Sequence, residues 1–306
     1  MHVKFIHSYV CACVAPKKYI KTYDYDHAQF ADEFIYVDCP ACGRLGLLNG
    51  PDPRRLSDTY PAEYGAHSKR NFGLIGGVAR RVAAWMKVRR ITRYISLGGK
   101  VLEIGCGANP MATLLAVEPH RIYLVDHKIT IPDLNKFNTF ECDAIDFSET
   151  IGEKFKIIIF NQLIEHVADP ERFVAACVSL LEPDGILYFE TPDHAGYDAR
   201  LSKRAGVWGG LHAPRHLIIF NRLGVELLMK KFERMRLIKT GALLNPFILN
   251  QTLRAIMLQR GFSRDFVRWL KLGNPVLLGL YLVLDCLFNG LVRLPTGNRY
   301  FIYEKR

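Results

Sequence analysis

The chain has 306 residues, of which 49% are hydrophobic and 23% charged, and its formal net charge is +11. This length and composition are typical of a globular protein with one large domain and additions, and they argue against a small disulfide-stapled scaffold. The excess of cations predicts an anionic partner or surface.

The cysteines and the first residues bear on the cellular compartment. The eight cysteines do not follow the spacing of a secreted disulfide framework. The stretch from Met1 to Lys4 and beyond has no long apolar core, so we expect no signal peptide. We therefore expect a cytoplasmic protein.

Two cysteine pairs lie near the N-terminus. Cys39 and Cys42 are followed by Gly43, which lets the backbone turn tightly around two thiolates. Cys11 and Cys13 form a second pair with a less usual spacing. Together the four cysteines predict a structural zinc site, and the alternative is a small β-hairpin with free cysteines.

Residues 70–97 combine basic and apolar side chains at helical spacing. The spacing predicts a helix whose apolar stripe packs on the domain while its cations point outward. No stacking aromatics or known binding motif accompany the cations, so the pattern does not favour nucleic acid.

Residues 101–107, Val-Leu-Glu-Ile-Gly-Cys-Gly, predict a buried strand that runs into a glycine turn. The glycines allow a ligand to approach the backbone closely. We expect a helix from Pro110 to about Pro119, which would complete a strand–turn–helix unit for a nucleotide-like cofactor. A dinucleotide fingerprint needs a third glycine, and Pro110 stands at that place.

Three more strands with polar residues at their ends follow. Residues 121–125 end at Asp126, whose carboxylate can accept hydrogen bonds from both ribose hydroxyls. Asp143 follows a short strand, where the alternative role is a turn or helix cap. The strand 155–160 leads into residues 161–170, Asn-Gln-Leu-Ile-Glu-His-Val-Ala-Asp-Pro.

These ordered motifs resemble the class I S-adenosylmethionine-dependent methyltransferases, in particular their ubiquinone-biosynthesis-like branch. The resemblance covers about residues 95–240 and implies an α/β fold with a doubly wound, mostly parallel seven-stranded sheet. It implies that Glu103 lies near the methionine moiety, that Asp143 faces the adenine amine, and that Asn161 departs from the usual aspartate. The implied cofactor-binding residues are Glu103, Gly105, Cys106, Gly107, Asp126, Asp143, Ala144, Asn161 and Gln162.

The resemblance also divides the chain. Residues 1–69 resemble the degenerate zinc-ribbon that precedes the domain in some bacterial members. Residues 70–242 and 297–306 correspond to the methyltransferase domain, with residues 298–305 as its antiparallel closing strand. Residues 243–296 form an apolar helical insertion before that strand.

Histidines follow two strands that we expect to end at the ligand-binding edge of the sheet. His166 lies in the motif after the fourth strand, and His212 and His216 lie in a loop after strand five, predicted at 186–190. These three side chains are the candidate general bases for an oxygen or carbon acceptor, and the alternative is that they hold the loop by hydrogen bonds. A helix at 222–232 and a strand at 235–240 are expected next.

The insertion contains an apolar segment, 275–292, that is marginal in length for a membrane span and includes Asp285. Flanking arginines and lysines suit a hairpin lying in an anionic membrane interface, whereas a lid over an apolar substrate or a dimer seam would give a similar pattern.

The sequence thus predicts methyl transfer to a small or amphiphilic acceptor. The alternatives are a non-catalytic cofactor-binding protein and a nicotinamide-dependent dehydrogenase.

Overall fold

A computed structural model describes residues 3–61, 85, 87–93, 98–131, 134–243, 245–270, 275–287 and 296–306 of the protein. Much of the predicted basic helix and part of the apolar segment 275–292, including the side chain of Asp285, lie outside the described residues. The strands are β1 (Phe5–His7), β2 (Lys18–Thr22), β3 (Phe34–Cys39), β4 (Arg44–Leu47), β5 (Gly50–Pro51), β6 (Val101–Ile104), β7 (Ile122–Asp126), β8 (Asn138–Glu141), β9 (Phe155–Asn161), β10 (Leu181–Pro192), β11 (Ile218–Phe220), β12 (Met235–Ala242) and β13 (Asn298–Lys305). The helices are α1 (described at 87–92), α2 (Ala144–Thr150), α3 (Pro170–Leu180), α4 (Tyr197–Ser202), α5 (Arg222–Met229), α6 (Pro246–Gln259), α7 (Arg264–Trp269) and α8 (Pro275–Cys286).

The main sheet has seven strands in the order β12-β13-β10-β9-β6-β7-β8. Strands β10, β9, β6, β7 and β8 pair in parallel, and β13 lies antiparallel between β10 and β12. The four residues of β6 are all buried, as expected for a strand covered on both faces. This topology confirms the predicted α/β fold and the antiparallel closing strand.

The strand order places three cofactor candidates at one edge. Ile104 pairs with Val125 on one side and with Phe160 on the other. Gly105, Asp126 and Asn161 each follow these paired residues, so they lie at neighbouring carboxyl ends. Such an edge, where the connections leave on both sides of the sheet, is where open α/β folds bind ligands.

A second sheet joins the N-terminal segment to the rest of the chain. Its order is β11-β4-β3-β2, with every pair antiparallel. Strand β11 comes from the loop after β10, and Ile219 pairs with Leu45. The N-terminal strands therefore hold the end of the loop that carries His212 and His216.

The helix expected from Pro110 to Pro119 does not form. Short 3-10 turns occupy Ala112–Leu114 and Pro119–Arg121, and Leu115 between them is extended. Two prolines bound a stretch too short for a stable helix, and the Glu103 carboxylate binds the amide of Ala112. The glycine turn is followed by irregular backbone that packs on the sheet.

The prediction that the cations of the basic helix point outward is wrong for two of them. Lys87 donates to the buried carboxylate of Glu190, with 2.6 Å between Nζ and Oε2. The Arg90 guanidinium lies over the Tyr300 ring, 5.0 Å from its centroid. Ile91 on the same helix is fully buried. Lys87 turns inward because the buried carboxylate of Glu190 would otherwise be an uncompensated charge, and Arg90 turns inward onto an aromatic face.

The insertion is helical, as predicted. Tyr281 of α8 is buried and packs with Leu277 against Leu249 of α6. No helix within the described residues is both long and apolar enough to cross a membrane.

Candidate functional site

The glycine turn after β6 is tied to the end of β7. Gly105 and Gly107 have φ angles of 72° and 54°, which favour glycine because it has no Cβ. The amide of Gly105 donates to the Val125 carbonyl at 2.8 Å, and the amide of Gly107 donates to Oδ2 of Asp126 at 2.8 Å. The turn and the predicted ribose-binding carboxylate thus form one hydrogen-bonded unit.

Glu103 lies buried just before this turn, and Cys106 lies buried within it. Burial raises the pKa of Glu103 to about 7, although its Oε2 accepts a hydrogen bond from the Ala112 amide at 2.6 Å. Burial also raises the pKa of the Cys106 thiol well above its usual value, so this side chain is an uncharged filler. Glu103 thus holds the backbone that follows the turn.

Asp143 caps helix α2. Its Oδ1 accepts from the Ile145 amide at 2.7 Å, and the side chain is exposed at the end of β8. Ala144 begins the helix and is half-buried. The cap role considered for Asp143 is therefore observed.

Asn161 and Gln162 end β9 at the centre of this edge. Within the described residues, the buried Oδ1 of Asn161 has no hydrogen-bond partner. Gln162 adopts a φ of 50°, its amide donates to the Glu190 carbonyl, and its Nε2 donates to Oδ1 of Asn298 at 3.0 Å. A buried amide oxygen without a partner indicates a place for a donor group of a ligand.

The three histidines predicted as candidate bases come together. The ring centroid of His166 lies 4.6 Å from that of His216 and 6.4 Å from that of His212. His27 from the N-terminal segment joins them, 5.7 Å from His212. Burial lowers the pKa of His166 to about 4 and lowers the pKa values of His212 and His216 well below the usual range. All three are therefore neutral imidazoles near pH 7.

Hydrogen bonds define which ring nitrogen carries the proton. Nδ1 of His166 lies 3.0 Å from the Arg215 carbonyl, and Nδ1 of His216 lies 2.8 Å from the Gly210 carbonyl. Because a carbonyl oxygen only accepts, both Nδ1 atoms donate, and each Nε2 keeps its lone pair. His166 and His216 thus serve as loop anchors through one nitrogen and remain proton acceptors at the other.

Glu165 is the functional candidate that sequence reasoning missed. This carboxylate is fully buried, and its Oε2 accepts from Oγ1 of Thr191 at 3.0 Å. Its Oε1 lies 4.0 Å from Nε2 of His216 and has no hydrogen-bond partner among the described residues. Burial raises the pKa of Glu165 to about 8. The available signal was a carboxylate placed directly before His166 in a stretch that is otherwise apolar.

Donor atoms of Glu165, His166 and His216 lie within 4.8 Å of one another. One carboxylate oxygen and two imidazole nitrogens are a ligand set that suits a divalent cation. The same arrangement also suits the exchange of a proton between the carboxyl group and an imidazole.

The N-terminal segment fixes the histidine loop. The hydroxyl of Tyr36 donates to the carbonyls of Leu211 and His216 at 2.7 and 2.6 Å. Arg215 is fully buried, and its Nη1 donates to Oδ1 of Asp24 at 3.0 Å. The guanidinium also lies under the ring of Tyr60. A buried charge that is paired in this way makes the loop rigid, because breaking the pair would leave an uncompensated ion.

The four N-terminal cysteines also meet. Cys39 ends β3, and the Gly43 amide donates to the Cys39 carbonyl at 3.0 Å to close a tight turn that contains Cys42. The loop with Cys11 and Cys13 lies against this turn, so all four sulfur atoms lie within 4.8 Å of one another. Four thiolates at this spacing can hold one tetrahedral zinc ion.

Comparisons with known proteins identify the family. A family model described as a methyltransferase domain matches residues 78–233, just over half of the chain. The ubiquinone biosynthesis O-methyltransferase of Coxiella burnetii is 30% identical over 115 residues, which are 35% of this chain and 49% of that protein. The enzyme of the same name from Bartonella quintana is 36% identical over 104 residues, 30% of this chain and 40% of that protein. The chain thus spans about half the length or less of these relatives.

Among solved structures, the protein is similar to a sarcosine dimethylglycine methyltransferase homologue from Galdieria sulphuraria. The TM-score is 0.48 at 12% identity, and the match covers 82% of this chain and 96% of that chain. The seven-stranded sheet, the glycine turn and the family match agree with one another. The chain belongs to the methyltransferase-domain family, with the fold of the class I S-adenosylmethionine-dependent methyltransferases.

Proposed function

We propose that the protein transfers the methyl group of S-adenosylmethionine to an oxygen or carbon atom of a small amphiphilic acceptor. The observation that carries this proposal is the position of the histidine cluster. His166 follows β9, the strand that pairs beside β6, so the candidate bases and the glycine turn lie at the carboxyl ends of adjacent strands. A cofactor held by the turn and an acceptor beside the histidines would meet at this edge.

The residues of the turn fit the cofactor. Glycines with positive φ angles allow close approach of a ligand, and Asp126 presents a half-buried carboxylate at the tip of β7. We assign Glu103, Gly105, Cys106, Gly107 and Asp126 to the methionine and ribose portions. Asp143 and Ala144 are assigned to the adenine, and Asn161 and Gln162 to the ligand-facing edge of β9.

When bound, S-adenosylmethionine supplies a methyl group already activated on a sulfonium. The protein must then orient the acceptor, exclude water and accept a proton. We assign that last role to the histidine cluster of His166, His212 and His216. For His166 and His216 the lone pair lies on Nε2. Burial keeps both imidazoles neutral at pH 7, so this nitrogen can accept a proton, although the lowered pKa makes each a weaker base than an exposed histidine.

The nature of the acceptor rests on the relatives and on the insertion. Enzymes named ubiquinone biosynthesis O-methyltransferases are similar to the central part of the chain. Exposed apolar side chains on the insertion and the net charge of +11 support an amphiphilic acceptor met at an anionic membrane surface.

We further propose three units: residues 1–69, residues 70–242 with 297–306, and the insertion 243–296. The first would bind one structural zinc ion through Cys11, Cys13, Cys39 and Cys42. The metal would stabilise the hairpin whose Gly43 carbonyl accepts a hydrogen bond from the Asn221 amide, and thereby the position of β11 and the histidine loop.

A non-catalytic cofactor-binding protein is the second candidate, since Asn161 replaces the usual aspartate. Calorimetry with S-adenosylmethionine and its demethylated product tests cofactor binding, and a screen of phenolic and lipid-linked acceptors with radiolabelled cofactor tests transfer. We expect binding of both cofactor forms and labelled product. His166→Gln should abolish transfer and preserve cofactor binding, whereas His120→Gln, at an exposed site, should change neither. Binding without transfer to any acceptor would favour the non-catalytic role.

A further inference from the structure

The insertion exposes apolar side chains in two places. Phe262 and Phe266 stack at the α6–α7 turn, with ring centroids 5.6 Å apart. Leu280, Val283 and Leu287 recur at helical spacing along α8 and its end, so they share one face. We call these five residues the insertion patch. Each of its side chains is between 39% and 57% exposed.

Helix α8 exposes apolar side chains, whereas a surface helix usually exposes polar ones. Tyr281 and Leu277 already pack against α6, so the helix has its contact with the protein. The exposed side chains of α8 and its end, among those that the structure describes, are nevertheless apolar. Exposed apolar clusters of this kind mark a contact with another surface.

The charges beside the patch indicate which surface it contacts. Arg260 and Arg264 are exposed and flank Phe262 in sequence. Aromatic side chains between arginines are typical of segments that lie in the interface of an anionic bilayer. A second copy of the chain would also carry a net charge of +11 and would be repelled, whereas anionic lipids attract it.

Helix α6 links this patch to the candidate active site. Oγ1 of Thr252 accepts from the amide of Gly209 at 2.9 Å, and Nε2 of Gln251 donates to Oδ2 of Asp26 at 2.9 Å. Nδ2 of Asn250 donates to the Leu270 carbonyl at the end of α7, at 2.7 Å. The helix has 14 residues and therefore spans about 21 Å. One rigid element thus joins the exposed turn to the loop that carries His212.

We infer that the insertion patch is an interfacial anchor for anionic phospholipid bilayers, which holds the histidine loop close to the membrane surface from which an amphiphilic acceptor enters. This inference rests on the proposed function for its last clause only. The binding surface itself consists of side chains outside the matched family region.

Flotation of the full chain with vesicles tests the inference. Vesicles of phosphatidylcholine alone are compared with vesicles that also contain phosphatidylglycerol, and we expect binding to the anionic vesicles only. The double substitution Phe262→Ser/Phe266→Ser should lower partitioning by about tenfold or more, because two aromatic rings that would enter the bilayer are lost. Arg260→Gln/Arg264→Gln should lower partitioning roughly thirtyfold, and added salt should weaken binding by the wild type.

Matched controls change exposed residues elsewhere. Two double variants serve as controls, Leu201→Ser/Leu223→Ser and Arg200→Gln/Lys230→Gln. They remove exposed apolar or basic side chains from α4, from α5 and from the end of α5, and both should partition as the wild type does. Equal binding to neutral and anionic vesicles, or equal loss in patch and control variants, would overturn the inference. A dimer that the phenylalanine variant dissociates, without vesicle binding, would assign the patch to a second copy instead.

Cofactor calorimetry on the same variants separates the two proposals. Patch variants should bind S-adenosylmethionine as tightly as the wild type does. If neither the wild type nor any variant binds S-adenosylmethionine, the proposed function is refuted, and the interpretation of the vesicle result does not change.

Discussion

The hydroxyl oxygen of Tyr60 lies 2.8 Å from Nδ1 of His166. Tyr60 belongs to the N-terminal segment, outside the matched region 78–233, whereas His166 lies inside it. Since Nδ1 donates to the Arg215 carbonyl, the Tyr60 oxygen shares that same N–H. Residues from the N-terminal segment thus complete the surroundings of the central candidate base.

Asp126→Ala should weaken binding of S-adenosylmethionine. Losing hydrogen bonds from the ribose hydroxyls to a charged group costs about 1.5–3 kcal/mol, or roughly ten- to 150-fold in Kd. Calorimetry measures this change, with the exposed Asp58→Ala as control. Unchanged affinity would contradict the assignment of Asp126, and a thermal melt shows whether losing the Gly107 contact alters the fold.

Zinc analysis tests the cysteine cluster. The protein purified without chelators should carry about one equivalent of zinc, and Cys39→Ser should lose it. Cys142→Ser, at a half-buried cysteine outside the cluster, should keep the metal. Metal-free wild-type protein would support a hairpin with free cysteines.

His166→Gln should make the free energy of unfolding depend less steeply on pH between about 4 and 6.5. The unfolded chain protonates this histidine near its usual pKa of 6.5, and the folded chain only near 4. Between these values the unfolded state binds more protons, so the free energy of unfolding falls as pH falls, by up to about 1.4 kcal/mol per pH unit. Urea unfolding at several pH values measures the slope. His120→Gln should keep the wild-type slope, and an unchanged slope in His166→Gln would show that His166 is not held neutral.

Glu165→Gln should have the opposite pH dependence. The pKa of this carboxyl is raised from 4.5 to about 8 in the folded chain, so between these values the native state binds more protons. The free energy of unfolding of the wild type therefore falls as pH rises through that window. The Glu165→Gln variant should not lose stability in this way, because glutamine does not ionise. The stability difference in favour of Glu165→Gln should grow by up to about 1.4 kcal/mol per pH unit.

Glu149→Gln, at an exposed carboxylate, serves as the control for Glu165→Gln and should follow the wild type across the same window. A constant difference between Glu165→Gln and the wild type would mean that Glu165 ionises normally in the folded state. A bound cation would also remove the predicted trend, and repeating the titration with a chelator separates the two cases.

Several features of the fold followed from local sequence. The family resemblance implied the closing strand at 298–305, and it is observed as Asn298–Lys305. The glycine turn and the carboxylate at the tip of β7 were also predicted, because they belong to one ordered series of motifs. The prediction of a helix after the turn was wrong. Pro110 and Pro119 bound this stretch and the Ala112 amide donates to Glu103, and these constraints outweighed helical propensity.

The sequence by itself determined the cofactor motif, the order of the strands along the chain and the three histidines as candidates. Only the tertiary structure decided that β11 pairs with β4, that Tyr60 and His27 join these histidines, and that Glu165 lies beside His216. Local patterns specify which face of an element is buried. They do not specify which residues far apart in sequence share a buried site, because that depends on how the sheets and loops pack together and on the burial that shifts each pKa.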